Sequence, residues 1–139
     1  MQPQSTDPFF SFVQQAQDRE FDLARGALLI ARQAYTALDV EYYLRQLDDI
    51  GANYRAHHPP AADLATELAN FSRFLFVDLE FRGNQDAYDD PRNSYLNDVI
   101  DRRLGIPISL SVIYLEVGRR LELPLAGINF PYHLSLIHI

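Results

Sequence analysis

Apolar residues recur at helical spacing in three successive stretches of the first half of the chain. The first stretch begins at Phe21, and the second begins at Val40, with Asp39 as its predicted N-cap. A third stretch begins near Asp63. Because apolar residues three and four positions apart lie on one face of a helix, each stretch predicts a helix with one buried face. The sequence HHPP at 57–60 separates the second helix from the third, since proline lacks an amide donor and disfavours helical geometry in the residue before it.

Shorter elements are expected after the third helix. Gly83 is the predicted left-handed C-terminal end of that helix, and the polar run from Gly83 to Asn93 predicts a turn-rich connection. A short amphipathic helix is expected from about Ser94 to a closing glycine, Gly105. Pro107 then marks the start of a fifth helix, since proline is well suited to the first turn of a helix.

The pattern changes near the end of the chain and predicts two strands. The segment LPLAGINF at 123–130 is short, apolar and bounded by prolines, and YHLSLIHI at 132–139 alternates weakly. A short apolar run between turn signals favours a buried strand over a helix. Two strands do not make an independently stable sheet. Either these strands pack on the helices, or the chain stops before its fold does.

The composition is that of one ordinary globular domain, and it removes several chemistries. The chain has 139 residues, of which 47% are hydrophobic and 22% are charged, which excludes a disordered or fibrous protein. Cysteine is absent, so disulfides, cysteine–zinc sites and a thiol nucleophile are excluded. All 12 basic residues are arginine, so no lysine is present to form a Schiff base. We expect no cofactor.

The charge distribution bears on partners and location. The net charge is −7, and the arginines are scattered from Arg19 to Arg120, so the chain lacks the concentrated basic surface of a nucleic-acid binder. No apolar run approaches the roughly 18–20 residues that a membrane span requires. The opening MQPQSTDPFF also lacks the basic start and apolar stretch of a secretory signal. We therefore expect a cytoplasmic protein that binds neither nucleic acid nor membrane.

Two stretches of the chain carry a resemblance to a known family. The run at 88–133 contains PRNSYLNDV, RRLGIPISLSVIYLEV and FPYH in that order, and it resembles the transglutaminase-like core of the SirB-type bacterial family. The segment FDLARGALLIARQAYTALDVEYYLRQLDDI at 21–50 is similar to the helical N-terminal part of the same family. A similar domain lies inside an animal F-box protein, where it would be an interaction part.

The resemblance implies an α+β fold and a division of the chain. A mainly helical part at 21–82 would precede a papain-like core helix and the start of a small antiparallel sheet within 88–133. The transglutaminase-like domain would thus span 21–133. Residues 1–20 would form a lead-in, and residues 134–139 would form a tail. Full-length members of the family continue into a tetratricopeptide-like helical part.

The resemblance also bears on catalysis. In active members of the superfamily, a cysteine at the start of the core helix is activated by a histidine and oriented by an aspartate. The resemblance places Pro107 at the cysteine position, His133 at the histidine, and the aspartate past the end of this chain. It therefore implies a non-catalytic domain that serves protein interaction or regulation. The alternative is a residual hydrolase or acyl transferase that uses Ser109 or Ser111 with His133. A serine just after Pro107 is also typical of a residue that caps the start of a helix.

Other polar residues of the family block have two interpretations. Arg92, Asn93 and Asn97 could line a binding cleft, or they could hold the loop to the helix ends through side-chain to backbone hydrogen bonds. Three aspartates between positions 86 and 90 lack the ligand spacing of a calcium loop and favour a solvated turn, so we expect no metal site. The expected partner is a protein of unknown identity.

The chain departs from the family pattern near its end. Glu122 and Tyr132 stand where the family has glycine, and the final LSLIHI resembles translated adapter read-through. We therefore expect a truncated reading frame whose last residues are not native. An unfinished sheet would expose strand edges, which predicts marginal stability or self-association of the isolated chain.

Overall fold

The computed structural model describes residues 22–125, and these residues form helices joined by short turns. The helices are α1 (Leu23–Ala34), α2 (Val40–His57), α3 (Leu64–Arg73), α4 (Leu96–Arg102) and α5 (Pro107–Arg120). A π-helical segment, Phe74–Asp78, continues α3, and a 3-10 turn, Pro91–Asn93, precedes α4. Two short strands, β1 (Arg82–Gly83) and β2 (Leu104–Gly105), complete the described part. None of the helices within residues 22–125 combines the length and the apolar character that crossing a bilayer requires.

The first three helices begin at aspartates that cap them. Asp22, Asp39 and Asp63 each accept, through the side chain, the backbone amide three residues later, at 3.1, 3.1 and 2.8 Å. Each carboxylate thus satisfies a helical amide that has no partner within the helix. The predicted cap at Asp39 is confirmed. The predicted break at 57–60 is also confirmed, since α2 ends at His57.

Both predicted glycine helix ends are wrong. Gly83 lies in β1 and Gly105 lies in β2, while α3 and α4 end earlier. The left-handed backbone positions nearby are occupied by Glu80 and Arg103, with φ of 64° and 60°. Arg103 is held there by tertiary contacts, because its guanidinium donates to the Leu79 carbonyl at 2.8 Å and lies over the Phe81 ring. Such contacts offset the strain that a side chain meets at positive φ.

The backbone is left-handed just after α5, at the position where the resemblance led us to expect glycine. Glu122, which stands there, has φ of 59°. It lies in the turn that follows α5, and it is exposed to solvent. The backbone at this point therefore has the conformation that glycine adopts most readily, although a glutamate occupies it.

The two-stranded sheet is parallel, so the predicted antiparallel sheet is wrong for the part of the chain that the structure describes. Arg82 pairs with Leu104 and Gly83 pairs with Gly105. The chain between the strands crosses over through the 3-10 turn and α4, and a crossover of this kind brings the second strand back in the same direction. The strand predicted at 132–139 lies outside the described residues. Of the strand predicted at 123–130, residues 123–125 are described and are not in a strand.

The core is built around α5. From Ser109 to Gly118 every residue of this helix is buried except Leu115, which is partly exposed. Helices α1, α2 and α4 all pack on α5. A helix that is buried on nearly all sides organises the hydrophobic core of a small domain, because the elements around it remove its apolar side chains from water. The largest fully buried side chains of the domain are Tyr54, Tyr114, Phe71, Phe81, Leu23, Leu28, Leu47, Leu75, Leu96, Leu110 and Ile113.

Two buried glutamates connect the helices. Glu116 of α5 accepts the backbone amide of Ala24 at 3.0 Å and therefore joins α5 to the first turn of α1. Glu67 of α3 accepts the hydroxyl of Tyr54 at 2.5 Å and the guanidinium of Arg55 at 3.2 Å. Burial raises the pKa of Glu67, but these hydrogen bonds together lower it by a larger amount, so the pKa is below its usual value. Both carboxylates have structural partners.

Candidate functional site

The start of α5 is where the resemblance would place a nucleophile. Pro107 is the first helical residue, and Ser109 lies in the first turn. The Ser109 hydroxyl oxygen accepts the amide of Ile106 at 3.0 Å and lies 2.6 Å from the Asn93 carbonyl, to which it donates. Ser109 is only 1% exposed. The hydroxyl therefore caps the helix start and ties it to the loop before α4.

Ser111, the second candidate nucleophile, points into its own helix. It is fully buried, and its hydroxyl donates to the Pro107 carbonyl at 2.7 Å. Serine and threonine side chains in helices often form this bond to the carbonyl four residues earlier. Both serine hydroxyls thus donate their protons to backbone oxygens. His133 lies outside the described residues, as does any pairing between it and these serines.

The loop before α4 is held by two asparagines. The Asn84 side-chain amide donates to the Asn93 side-chain oxygen at 3.0 Å, and the Asn84 oxygen accepts the Ala87 amide at 3.0 Å. Asn93, which is 1% exposed, donates in turn to the carbonyls of Ala87 and Tyr88 at 2.8 and 2.9 Å. Asn93 was a predicted binding residue, whereas Asn84 was not predicted from the sequence. The available signal was its place at the start of a polar turn, where asparagine often bonds to nearby backbone.

Arg92 and Asp90 form a local ion pair at the 3-10 turn. Asp90 accepts the Arg92 amide at 2.9 Å and the Arg92 guanidinium at 2.7 and 3.1 Å. The Arg92 side chain, followed by its backbone amide, lowers the pKa of Asp90 to about 2. Asp86 and Asp89 are exposed in the preceding turn. Within residues 22–125, no three metal-ligating side chains are arranged to hold an ion.

Asn97 is buried in the first turn of α4. Its side-chain oxygen has no hydrogen-bond partner among the described residues, and neither does the Nη1 atom of Arg102. A buried acceptor without a donor costs about 1–3 kcal/mol. Of the three residues predicted to bind, Asn93 accepts the Ser109 hydroxyl through its backbone carbonyl. Arg92 is exposed and forms an ion pair with Asp90. No hydrogen bond among the described residues joins these three side chains to one another.

Two tyrosine–aspartate pairs on the surface were not predicted from the sequence. The Tyr35 hydroxyl donates to Asp98 and the Tyr43 hydroxyl donates to Asp101, both at 2.7 Å. The hydrogen bond to Asp98 raises the pKa of Tyr35, and burial followed by the hydrogen bond to Asp101 raises the pKa of Tyr43. The partners are 63 and 58 residues apart in the chain, so no local sequence pattern predicts the pairs.

Alkaline pH is expected to destabilise the folded protein partly through Tyr43. Its pKa is raised in the folded state, so above about pH 10 the unfolded chain loses this proton first and unfolding is favoured. The contribution of Tyr43 is therefore complete below about pH 10 and is lost as the pH rises further. Urea unfolding between about pH 8 and pH 11 should show a shallower loss of stability in Tyr43→Phe than in the wild type. Equal slopes in the two proteins would contradict this expectation.

Comparison with known proteins identifies the family of this chain. Residues 41–138 match the transglutaminase-like superfamily. The chain is similar to a UPF0162 protein of Xylella fastidiosa strain 9a5c, with 42% identity over 126 residues that cover 91% of this chain and 45% of the relative. A UPF0162 protein of Vibrio cholerae is 31% identical over 117 residues, which cover 82% of this chain and 43% of the relative. The chain thus spans less than half the length of these two relatives.

A eukaryotic protein also contains a similar segment. F-box only protein 21 of Mus musculus is 47% identical over 62 residues, which cover 45% of this chain and 10% of that protein. No solved structure matches the chain. The superfamily match covers most of the chain, including all of α5 and the loop that Asn93 holds. The chain therefore belongs to the transglutaminase-like superfamily.

Proposed function

We propose that this domain is a SirB-type transglutaminase-like domain that serves protein interaction or regulation without catalysis. The observation that carries the proposal is the commitment of the Ser109 hydroxyl, which donates to the Asn93 carbonyl at 2.6 Å while it accepts the Ile106 amide. A serine nucleophile instead needs its proton directed at a general base. Cysteine, the nucleophile of active superfamily members, is absent from all 139 residues.

Pro107 also supports a non-catalytic role. In acyl transfer, backbone N–H groups at a helix N-terminus can stabilise the negative charge that develops on the carbonyl oxygen. Proline has no N–H group, and Pro107 occupies the first helical position of α5. The start of α5 therefore offers one donor fewer than a residue of another type would supply.

The similar segment in F-box only protein 21 supports an interaction role. That segment covers only 10% of the mouse protein, so a sequence of this type is used as one part of a longer polypeptide. The buried hydrogen bonds at the start of α5 fit such a use, because they stabilise a rigid unit.

Ester hydrolysis tests the proposal. We expect that wild type, Ser109→Ala, Ser111→Ala and His133→Ala all hydrolyse p-nitrophenyl acetate slowly and at similar rates, with no saturation by substrate, as exposed histidines do without an active site. Circular dichroism would show that each variant is folded. Saturable hydrolysis that is lost in His133→Ala and in one of the serine variants, with both folded, would instead establish the residual hydrolase. Hydrolysis of a peptide amide would be measured in the same way.

A further inference from the structure

Four tyrosines and two aspartates form one surface, which we call the tyrosine–aspartate face. It lies where α1 ends and α2 begins, beside α4. The two aspartates are three residues apart on α4 and therefore point to the same side of that helix. Tyr35 and Tyr43 each donate to one of them, which joins the ends of the face. The members of the face are Tyr35, Tyr42, Tyr43, Tyr95, Asp98 and Asp101.

Contacts within the face fix its tyrosine side chains. The rings of Tyr35 and Tyr95 meet edge to face with centroids 5.6 Å apart, and those of Tyr42 and Tyr43 do so at 5.0 Å. The hydroxyls of Tyr35 and Tyr43 are held by carboxylates at 2.7 Å. Side chains that are already ordered lose little conformational entropy when a partner binds. The face is therefore preorganised for binding.

The face also exposes aromatic surface. Tyr35 is 37% exposed and Tyr42 is 44% exposed, although their rings are large and apolar. Tyr43 and Tyr95 are partly buried beside them. Tyrosine is enriched among the residues that contribute most to binding at protein interfaces, because it combines a rigid apolar ring with a polar end.

The charge of the face calls for a cationic partner. Asp98 and Asp101 each accept one tyrosine hydroxyl, and among the described residues neither forms an ion pair with an arginine. A carboxylate accepts up to about four hydrogen bonds, so both keep accepting capacity. The neighbouring cation, Arg92, is already bound by Asp90. The whole chain carries a net charge of −7, which adds long-range attraction for cations.

We propose that the tyrosine–aspartate face binds an arginine-bearing segment of a partner protein. Arginine fits the face better than lysine, because its planar guanidinium stacks on an aromatic ring and also donates in a fork to a carboxylate. Tyr42 provides the most exposed ring of the face, and Asp98 and Asp101 provide the acceptors. The inference rests on the proposed interaction role and names the chemistry of its partner.

Peptide binding to the full chain tests the face. The probe is a synthetic peptide of Gly-Arg repeats, and its affinity is measured by calorimetry at about 0.15 M salt, where long-range attraction is screened. The double variant Asp98→Asn with Asp101→Asn keeps an oxygen for each tyrosine hydroxyl but removes both charges, and we expect at least about ten-fold weaker binding. Tyr42→Ala should weaken binding by about five- to thirty-fold. A Gly-Lys peptide should bind about five-fold more weakly.

A matched control separates the face from general acidity. The double variant Asp86→Asn with Asp89→Asn removes the same charge from an exposed turn outside the face, and it should change the affinity by less than about two-fold. Equal losses in the two double variants, or no loss in either, would overturn the proposal. The proposal would also be overturned if the face mediated only self-association. In that case sedimentation would show dimers that the face variants dissociate, and the wild type would not bind the peptide. These results leave the non-catalytic proposal intact, because that proposal depends on the ester hydrolysis rates.

Discussion

Gly105→Ala is expected to lower the free energy of unfolding by about 2–4 kcal/mol. A β-carbon at Gly105 would lie 2.6 Å from the hydroxyl oxygen of Ser109, 3.2 Å from Val99 and 3.3 Å from Leu110. These neighbours are all buried, so they have little room to move away. The added methyl group would also displace the hydroxyl that binds Ile106 and the loop carbonyl of Asn93.

Gly83→Ala is the matched control, because Gly83 pairs with Gly105 in the same small sheet. Apart from its two chain neighbours, no residue within 22–125 has an atom within 4 Å of a β-carbon built at Gly83. Alanine there should leave stability unchanged or raise it by up to about 1 kcal/mol, since it reduces the freedom of the unfolded chain. Urea unfolding of both variants measures the difference. A loss of stability in Gly83→Ala equal to that in Gly105→Ala would show that the strand backbone, not the packing at Gly105, sets the effect.

Ser109→Ala is expected to lower the free energy of unfolding by about 2–3 kcal/mol. The substitution removes the acceptor of the Ile106 amide and the donor to the Asn93 carbonyl. Both bonds lie in a buried region, where water cannot replace the lost partner at low cost. The variant should therefore unfold at a lower urea concentration, with the loop before α4 loosened first in hydrogen exchange.

Ser111→Ala tests whether this effect is specific to Ser109. The Pro107 carbonyl, which accepts the Ser111 hydroxyl, also receives the amide of residue 111 in a regular helix. Alanine is in addition the best helix former, so we expect a change of less than about 0.5 kcal/mol. The two serines thus differ in structural importance although both are buried near the start of the same helix. Equal effects of the two substitutions would contradict the assignment of Ser109 as the residue that ties the loop to α5.

The start of α5 is a structural junction. Gly105 leaves room for the Ser109 hydroxyl, and that hydroxyl binds both its own helix start and the loop carbonyl of Asn93. Asn93 in turn binds Asn84 and the loop backbone. Each link is a short hydrogen bond that is buried or partly buried, so a change at one residue affects the next. The start of α5 is thus fixed to the loop before α4 by side-chain hydrogen bonds.

Several features of the fold followed from local sequence. The helix start at Asp39 was predicted because an aspartate three residues before a helical amide is a local signal. The helix start near Asp63 followed from the spacing of the apolar residues after it. The end of α2 at His57 followed from the two prolines after it. Pro107 correctly marked the start of α5. These features depend on residues within one helical turn of each other.

The errors lie where distant residues decide the backbone. The local sequence predicts a glycine at the left-handed end of α4, but Arg103 occupies the left-handed position. It can do so because Leu79 and Phe81 provide partners for its guanidinium. The two-residue strands β1 and β2 carry too short a pattern to recognise, and their parallel pairing depends on the crossover through α4. The tyrosine–aspartate face could not be predicted for the same reason, since its pairs join residues about sixty positions apart.

The sequence by itself determined the main helices and the cap at Asp39, the absence of a cysteine nucleophile, and the resemblance to a transglutaminase-like domain that the family match supports. These properties are local or compositional, so the order of residues along the chain is enough to state them. Only the tertiary structure decided where the Ser109 proton goes, which way the two strands run, and which tyrosines share a surface with Asp98 and Asp101. The physical reason is that hydrogen bonds and packing depend on distances in space, and the fold brings together groups that the sequence separates.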